Sequence, residues 1–127
     1  AAVFFEQARG KAQDEASSTV TIEEAKDWVR KVRLAYQNPC QNVATLVELG
    51  AVNNGARAGF QRLACEQKYR VIVQDEVSVS QIENRAQVSL VRRIEANGRT
   101  VMKMSEKCLL EKQQGRIRGS CSDRKKL

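Results

Sequence analysis

The chain has 127 residues and a net charge of +7, with 22 basic and 15 acidic residues and no histidine. A chain of this length fits a single domain with one hydrophobic core. The absence of histidine excludes Ser-His-Asp catalysis, Cys-His catalysis and histidine-ligated metal sites. We therefore expect no cofactor and no metal, and a non-catalytic protein ahead of an enzyme.

The positive charge lies in the second half of the sequence. Residues 1–84 contain ten basic and eleven acidic side chains, whereas residues 85–127 contain twelve basic and four acidic ones. The commonest explanation of such an asymmetry is a solvated sheet face with charges that protect its edges. The next is a surface that contacts an acidic partner or a polyanion.

The helical part of the sequence comes first. Residues 1–18 read as an N-terminal extension with a short helical pattern, and Thr21 and Glu24 form a capping box that starts a helix near Ile22. Asn38-Pro39 ends that helix and begins a second one, which runs to about Leu49. Asn53 or Asn54 then caps a third helix. The apolar face of the first helix comprises Ile22, Ala25, Val29, Val32 and Tyr36.

From Tyr69 the hydrophobic period changes to two, which predicts strands. One strand covers residues 69–80 and the next covers 86–94; a hairpin closing at Glu83-Asn84 places Asp75 opposite Arg92 on the core face. A third strand follows the Asn-Gly turn in EANGR. Face matching favours a three-residue loop there, which sets Met104 against Leu90 and Met102 against Arg92. This register leaves Glu106 opposite Val88, for which the pattern offers no explanation.

The four cysteines predict two disulfides. A hairpin turning at Gln114-Gly115 places Cys108 opposite Cys121, within the distance that a disulfide spans. Cys40 begins the second predicted helix and Cys65 ends the third, so we expect these two to pair as well. A zinc site and four reduced thiols are the alternatives. Disulfides predict an oxidising compartment, hence a periplasmic or secreted protein.

No apolar run approaches the roughly 20 residues that span a bilayer, so we expect no transmembrane segment in this chain. The chain begins AAVFFEQ, without a methionine. This start fits a protein whose signal peptide or membrane anchor has been removed, and it fits an ordinary cytosolic protein equally well.

The order of elements predicts an α+β fold: two or three N-terminal helices packed on a four-stranded antiparallel meander, spanning residues 19–121, with a basic C-terminal tail at 122–127. The helix TIEEAKDWVRKVRLAY followed by the meander from VSVSQIENRAQVSLVRRIEANGRT to GRIRGSC resembles the nuclear transport factor two-like (cystatin-like) superfamily. The resemblance implies a curved, cone-shaped sheet around a long helix. It implies no single function, since the superfamily includes enzymes, transport factors and periplasmic parts of bacterial secretion machines.

We predict two sites. The first is a pocket inside the cone, formed by Asp75, Arg92, Met102 and Met104. A structural ion pair of Asp75 with Arg92 is the favoured interpretation, and Asp75 is a weak candidate for a proton shuttle. The second is a basic surface on the outer sheet face and its loops, formed by Arg93, Arg99, Lys103, Lys107, Lys112, Arg116 and Arg118.

These predictions favour an exported interaction or assembly domain, such as a periplasmic component of a bacterial envelope or secretion system, with a protein partner or self-association. An isomerase or lyase pocket is the alternative. Polyanion binding ranks third, because residues 70–127 contain no Phe, Tyr or Trp on which bases could stack.

Overall fold

The computed structural model describes residues 18–74 and 77–127, so the predicted extension at 1–17 lies outside the described residues. Within the described part, three helices precede a strongly curled antiparallel sheet, which forms a half-barrel. The α+β prediction is therefore confirmed. The elements are α1 (Ile22–Gln37), α2 (Val43–Leu49), a 3-10 turn (Asn54–Ala56), α3 (Arg57–Cys65), β1 (Arg70–Val73), β2 (Ser78–Ile82), β3 (Arg85–Ala96), β4 (Arg99–Gln113) and β5 (Arg116–Lys126).

Helix α1 begins at the predicted capping box. The Glu24 amide donates to the Thr21 hydroxyl at 3.1 Å, and the Glu24 carboxylate accepts from the Thr21 amide at 3.2 Å. Ile22, predicted to lie on the apolar face, is 41% exposed because it occupies the first turn, at the margin of the core. The buried face of α1 comprises Ala25, Trp28, Val29, Val32, Ala35 and Tyr36.

Helix α2 begins four residues later than predicted. Residues 39–42 form turns in which the Asn42 amide donates to the Pro39 carbonyl at 3.3 Å, so Pro39 opens a turn and not a helix. The end of α2 is as predicted, because Gly50 adopts the left-handed conformation at φ 79° and its amide donates to the Val47 carbonyl.

The sheet has the order β1-β3-β4-β5, and β2 pairs with the same edge of β3 as β1 does. The long first strand that we predicted is therefore two separate strands, β1 and β2. The described part of the chain thus has five strands and not the predicted four. Ser78 lies opposite Ser89, as the turn at Glu83-Asn84 predicts. In β1, however, Val73 lies opposite Arg92, which is two residues away from the predicted register.

The β3–β4 hairpin has a two-residue loop, and the prediction of a three-residue loop was wrong. Asn97 and Gly98 have φ values of 54° and 76°, as a type I′ turn requires, and Ala96 pairs with Arg99. A bulge between Ile94 and Glu95 then shifts the register. The bulge restores the match of apolar faces that the longer loop was invoked to provide.

Strand β5 extends beyond the predicted domain boundary at residue 121. Lys125 pairs with Ser105 and Lys126 pairs with Met104, so residues 122–126 are part of the sheet and not a tail. The strand carries Arg124 and Lys125 onto opposite faces of the sheet, because successive side chains alternate.

Both predicted disulfides form. Cys40 bonds to Cys65 with the Cα atoms 4.8 Å apart, and Cys108 bonds to Cys121 with the Cα atoms 3.9 Å apart. The first disulfide links the turn that precedes α2 to the end of α3. The second joins β4 to β5. Two disulfides indicate an oxidising compartment. Within residues 18–74 and 77–127, each helix is too short or too polar to traverse a bilayer.

The helices cover one face of the sheet, here called the inner face, where Val88, Leu90 and Leu110 are buried against α1. The closest approach is at Gly119. A Cβ atom there would lie 2.6 Å from Cζ2 of Trp28 and 3.0 Å from Cδ2 of Leu110, so only glycine allows this packing. The Trp28 Nε1 group in turn donates to the Leu49 carbonyl at 2.9 Å, which ties α1 to the end of α2.

Candidate functional site

A buried ionic cluster lies on the inner face of the sheet. Arg92 is 6% exposed and Glu106 is 3% exposed. The Arg92 Nε lies 2.7 Å from Glu106 Oε1, and its Nη2 donates to Oε2 at 2.9 Å. Its Nη1 donates to the Tyr36 hydroxyl at 2.8 Å. All three guanidinium nitrogens of Arg92 therefore contact protein oxygens, which is the arrangement that a buried guanidinium needs.

Arg124 adds a second cation to this cluster. Its Nε lies 3.1 Å from Glu106 Oε2, and its side chain is 48% exposed. Two arginines thus share one carboxylate, which leaves the cluster with one excess positive charge. Among the described residues, the contact that Arg124 makes with the cluster involves Nε alone.

The acid that contacts Arg92 is Glu106. The prediction that Asp75 lies opposite Arg92 is wrong, because β1 places Val73 there. Asp75 itself lies outside the described residues. The register shift of β4 puts Glu106 opposite Leu90, and Arg92 opposite Met104 and not Met102.

Tyr36 completes the cluster on the helix side. Its ring is 2% exposed, and this burial raises the pKa of the hydroxyl, an effect that the nearby Arg92 charge partly offsets. A phenol whose pKa is raised stays neutral at physiological pH. Tyr36 therefore acts here as a hydrogen-bond acceptor for Arg92 and not as a base.

Glu106 also lies beside the second disulfide. Its carboxylate and the sulfur atoms of Cys108 and Cys121 lie within 4.8 Å of one another. The two sulfur atoms are bonded to each other, which removes the thiolate form that binds metal. The carboxylate is shared by the two arginines. The chemistry of this donor set therefore does not fit a metal ion.

An apolar cleft opens between α3 and the edge of the sheet beside this cluster. Its volume is about 330 Å³. Predicted pocket residues Arg92, Met102 and Met104 meet in its wall, together with Arg124. Its exposed rim includes Leu63 at 43% and Val101 at 53% exposure. The remaining apolar lining comprises Ala51, Val52, Ala56, Phe60, Ala64, Tyr69, Val71 and Ile94.

The outer face of the sheet carries three lysines, Lys103, Lys107 and Lys125, here called the outer lysines. Lys103 and Lys107 lie four residues apart on β4, which separates them by about 13 Å. Lys125 pairs with Ser105, midway between them on the neighbouring strand. All three are exposed, and none contacts a carboxylate among the described residues.

A shallow depression lies beside two of the outer lysines, Lys107 and Lys125, and has a volume of about 570 Å³. Three serines line it, Ser78, Ser89 and Ser105, together with Val77, Leu90, Val91 and Glu106. The serines are too short to shield an ammonium group, so Lys107 and Lys125 remain exposed to solvent.

The other predicted basic residues do not belong to one surface. Arg93 pairs with Lys103 across the strands, but its guanidinium contacts Glu95 at 3.0 Å. Arg99 lies at the tip of the β3–β4 hairpin, whereas Arg116 and Arg118 lie at the opposite end of β5.

Lys112 does not belong to the basic surface on which it was predicted. It lies on the inner face, where its ammonium donates to Glu24 at 2.7 Å and joins the β4–β5 hairpin to the start of α1. This contact holds the pKa of Glu24 below its ordinary value.

Sequence reasoning missed three members of the described sites. Glu106 carried a signal, since it interrupts an apolar run on one face of β4, between Met104 and Cys108. Lys125 and Arg124 carried none, because the last residues were assigned to a tail and not to a strand. Tyr36 was expected in the core, but its hydroxyl contact depends on the tertiary fold.

A comparison of the chain with protein-family models, with curated proteins and with solved structures returns no match.

Proposed function

We propose that this chain is a non-catalytic interaction domain of an exported protein, and that it docks an acidic surface of a protein partner on the outer lysines. The observation that carries the proposal is the contrast in how charge is used. The buried charges of Arg92 and Glu106 contact each other and Tyr36, whereas the exposed charges of the outer lysines contact no described carboxylate. Exposed charges without a partner in the same chain influence the rate of association and the choice of binding partner.

An acidic protein fits this face better than nucleic acid does. Single-strand binders place aromatic side chains among their basic residues, and the sequence from residue 70 to 127 contains none. Duplex binders present a helix or ribbon to a groove, whereas here the lysines lie on the broad face of a five-stranded sheet. Carboxylates distributed over a protein surface match separated ammonium groups without either requirement.

The compartment and the fold support a placement in the bacterial envelope. The two disulfides favour a periplasmic or secreted location. The three helices on a curled sheet agree with the cone shape of the nuclear transport factor two-like superfamily, whose members include periplasmic parts of secretion machines. We propose an assembly role of this kind.

The register of β1 weighs against the enzyme alternative. That alternative required an acid opposite Arg92 in the pocket, and the residue opposite Arg92 on β1 is Val73. The acid that contacts Arg92 is Glu106, which is shared with Arg124.

The test is calorimetric titration of the intact, oxidised protein with a poly-L-glutamate peptide at low salt. The triple variant Lys103→Gln/Lys107→Gln/Lys125→Gln should bind at least about tenfold more weakly, and the affinity of the wild type should fall as salt shortens the range of the electrostatic interaction. The matched control is Lys26→Gln/Arg57→Gln/Arg62→Gln, which removes the same charge from exposed helix positions and should retain binding.

Two results would contradict the proposal. Equal loss in both triple variants would show that peptide binding follows net charge and not the outer lysines. Tighter binding of heparin or duplex DNA than of poly-L-glutamate through the same three lysines would assign the face to a polyanion and not to a protein.

A further inference from the structure

The apolar cleft beside the Arg92 cluster is separate from the outer lysines, because it opens on the inner face, between α3 and the sheet. Its walls are almost entirely aliphatic, aromatic or thioether groups, and its volume of about 330 Å³ lies at the lower end of the range for small-molecule sites. The exposed rim residues Leu63 and Val101 leave apolar surface in contact with water. Covering that surface would be favourable.

The charge at the cleft selects the kind of occupant. Glu106 neutralises one of the two arginines that contact it, so one positive charge remains. The excess resides on Arg124, because Arg92 is 6% exposed and lies in contact with Glu106 and Tyr36, whereas the Arg124 side chain is 48% exposed. A guanidinium whose terminal nitrogens contact no carboxylate of the described residues presents the fork that binds a carboxylate through two hydrogen bonds.

The shape of the cleft selects the rest of the occupant. Met102, Met104 and Phe60 line the same cleft as Arg124. Methionine side chains are flexible and adjust their conformation to a bound alkyl chain. A slender apolar chain fits a cleft of about 330 Å³.

We propose that the cleft binds a single-chain fatty acid, with its carboxylate on the terminal nitrogens of Arg124 and its alkyl chain against Met102, Met104 and Phe60. The binding is non-covalent and does not depend on the partner-docking function of the outer face. Failure of either proposal leaves the other intact, since the two use different residues on opposite faces of the sheet.

The chain provides its own probe, because its two methionines, Met102 and Met104, both line the cleft. In protein labelled with ¹³C at the methionine methyl groups, dodecanoate added below its micelle concentration should shift both methyl signals saturably. Dodecanol, with the same chain and no charge, should bind at least about tenfold more weakly, because it lacks the charge-assisted contact with Arg124.

Variants distinguish the effect of the Arg124 charge on ligand binding from effects on folding. Arg124→Gln should abolish the preference for dodecanoate over dodecanol, and Arg124→Lys should retain it in part. Arg118→Gln, which removes a charge from the outer face of the same strand, should leave the preference unchanged. Leu63→Gln at the exposed rim should weaken the binding of both ligands equally. Thermal melts of each variant confirm that it is folded.

Three outcomes would overturn the inference. Methyl signals that do not respond to dodecanoate exclude a fatty acid site. Equal affinity for dodecanoate and for dodecyltrimethylammonium, a cation with the same chain, would show that the cleft does not select an anion. Signals that shift with protein concentration alone would show that a second copy of the chain covers the cleft.

Discussion

On the inner face of the sheet, Arg92 and Lys112 each contact a carboxylate, whereas on the outer face the three outer lysines contact none among the described residues. Inside, removal of one partner strands the other in a medium that solvates charge poorly. Outside, water solvates each ammonium group and no partner is needed. The comparison indicates that the inner charges hold the fold and that the outer charges are available to another molecule.

The largest expected effect is on the inner face. Glu106→Gln leaves the buried Arg92 guanidinium without its counterion and should lower the free energy of unfolding by about 3–5 kcal/mol. Arg92→Met in the same chain should recover part of this loss, because the stranded charge is then absent. Urea denaturation measures both. Glu111→Gln is the control, since Glu111 forms an exposed pair with Arg85 and should cost no more than about 1 kcal/mol. An equal loss of unfolding free energy in Glu106→Gln and Glu111→Gln would contradict the contrast between buried and exposed charges.

The second prediction concerns the Cys40–Cys65 disulfide, which links the turn before α2 to the end of α3. The double variant Cys40→Ala/Cys65→Ala opens a bridge between residues 25 positions apart, which should cost about 3 kcal/mol in the chain-entropy account. Thermal melts of this variant should respond to reductant only through Cys108–Cys121. Mass analysis of the oxidised wild type without reductant should show no free thiol, and a free pair of thiols would remove the argument for an oxidising compartment.

The third prediction tests the close packing of α1 on β5. Gly119→Ala places a methyl group against Trp28 and Leu110 and should lower the free energy of unfolding by about 1–3 kcal/mol. Gly59→Ala is the matched control: this helix position has open space around it, and alanine there should stabilise by up to about 1 kcal/mol. Opposite signs in urea denaturation confirm the contact, and the same sign at both positions would contradict it.

The fourth prediction is the pH dependence of the Lys112–Glu24 contact. The pKa of Glu24 is lowered in the folded state, chiefly by the hydrogen bond from Lys112. The unfolded chain therefore binds the proton first as the pH falls, so the contact stabilises above the ordinary pKa of a glutamate, roughly 4.3, and this stabilisation is lost through the folded pKa below it.

Lys112→Gln should remove part of the loss of stability between neutral and acid pH, worth about 0.5 kcal/mol for a partly exposed pair. Unfolding curves across that pH range measure it. Lys107→Gln is the control on the outer face and should leave the acid dependence unchanged. An effect of the same size at Lys107 would show that overall charge, and not the Glu24 contact, sets the dependence.

The smallest expected effect is on the outer face itself. Replacing any one of the outer lysines by Gln should change the free energy of unfolding by less than about 0.5 kcal/mol, because each ammonium is exposed and contacts no described carboxylate. Thermal melts measure the change. A loss of several kcal/mol at any of the three positions would mean that the lysine supports the fold and would withdraw it from the docking surface.

The parts of the fold that depend on local signals were predicted from the sequence. Thr21 and Glu24 determined where α1 begins, and the symmetry about Gln114-Gly115 determined which cysteines face each other on β4 and β5. Alternation also assigned the faces of β3 and β4. Each of these signals lies within a few residues of the feature that it predicts.

The registers were not predictable in the same way. The true pairing differs from the predicted pairing by two residues, both at Arg92 opposite β1 and along β3–β4. A shift of two residues keeps every side chain on the same face, so alternation cannot detect it. The ionic cluster was missed for this reason, since the contact of Arg92 with Glu106 depends on that register and on a bulge.

The most direct test of the central claim is to map where an acidic partner contacts the protein. Uniformly ¹⁵N-labelled protein, titrated with poly-L-glutamate at low salt, should show the largest amide shifts on the outer face around Lys103, Ser105, Lys107 and Lys125, with the core amides of Arg92 and Glu106 unchanged. Largest shifts at Arg116 and Arg118, at the helix residues Arg57 and Arg62, or spread evenly over the surface would contradict the assignment of the docking face.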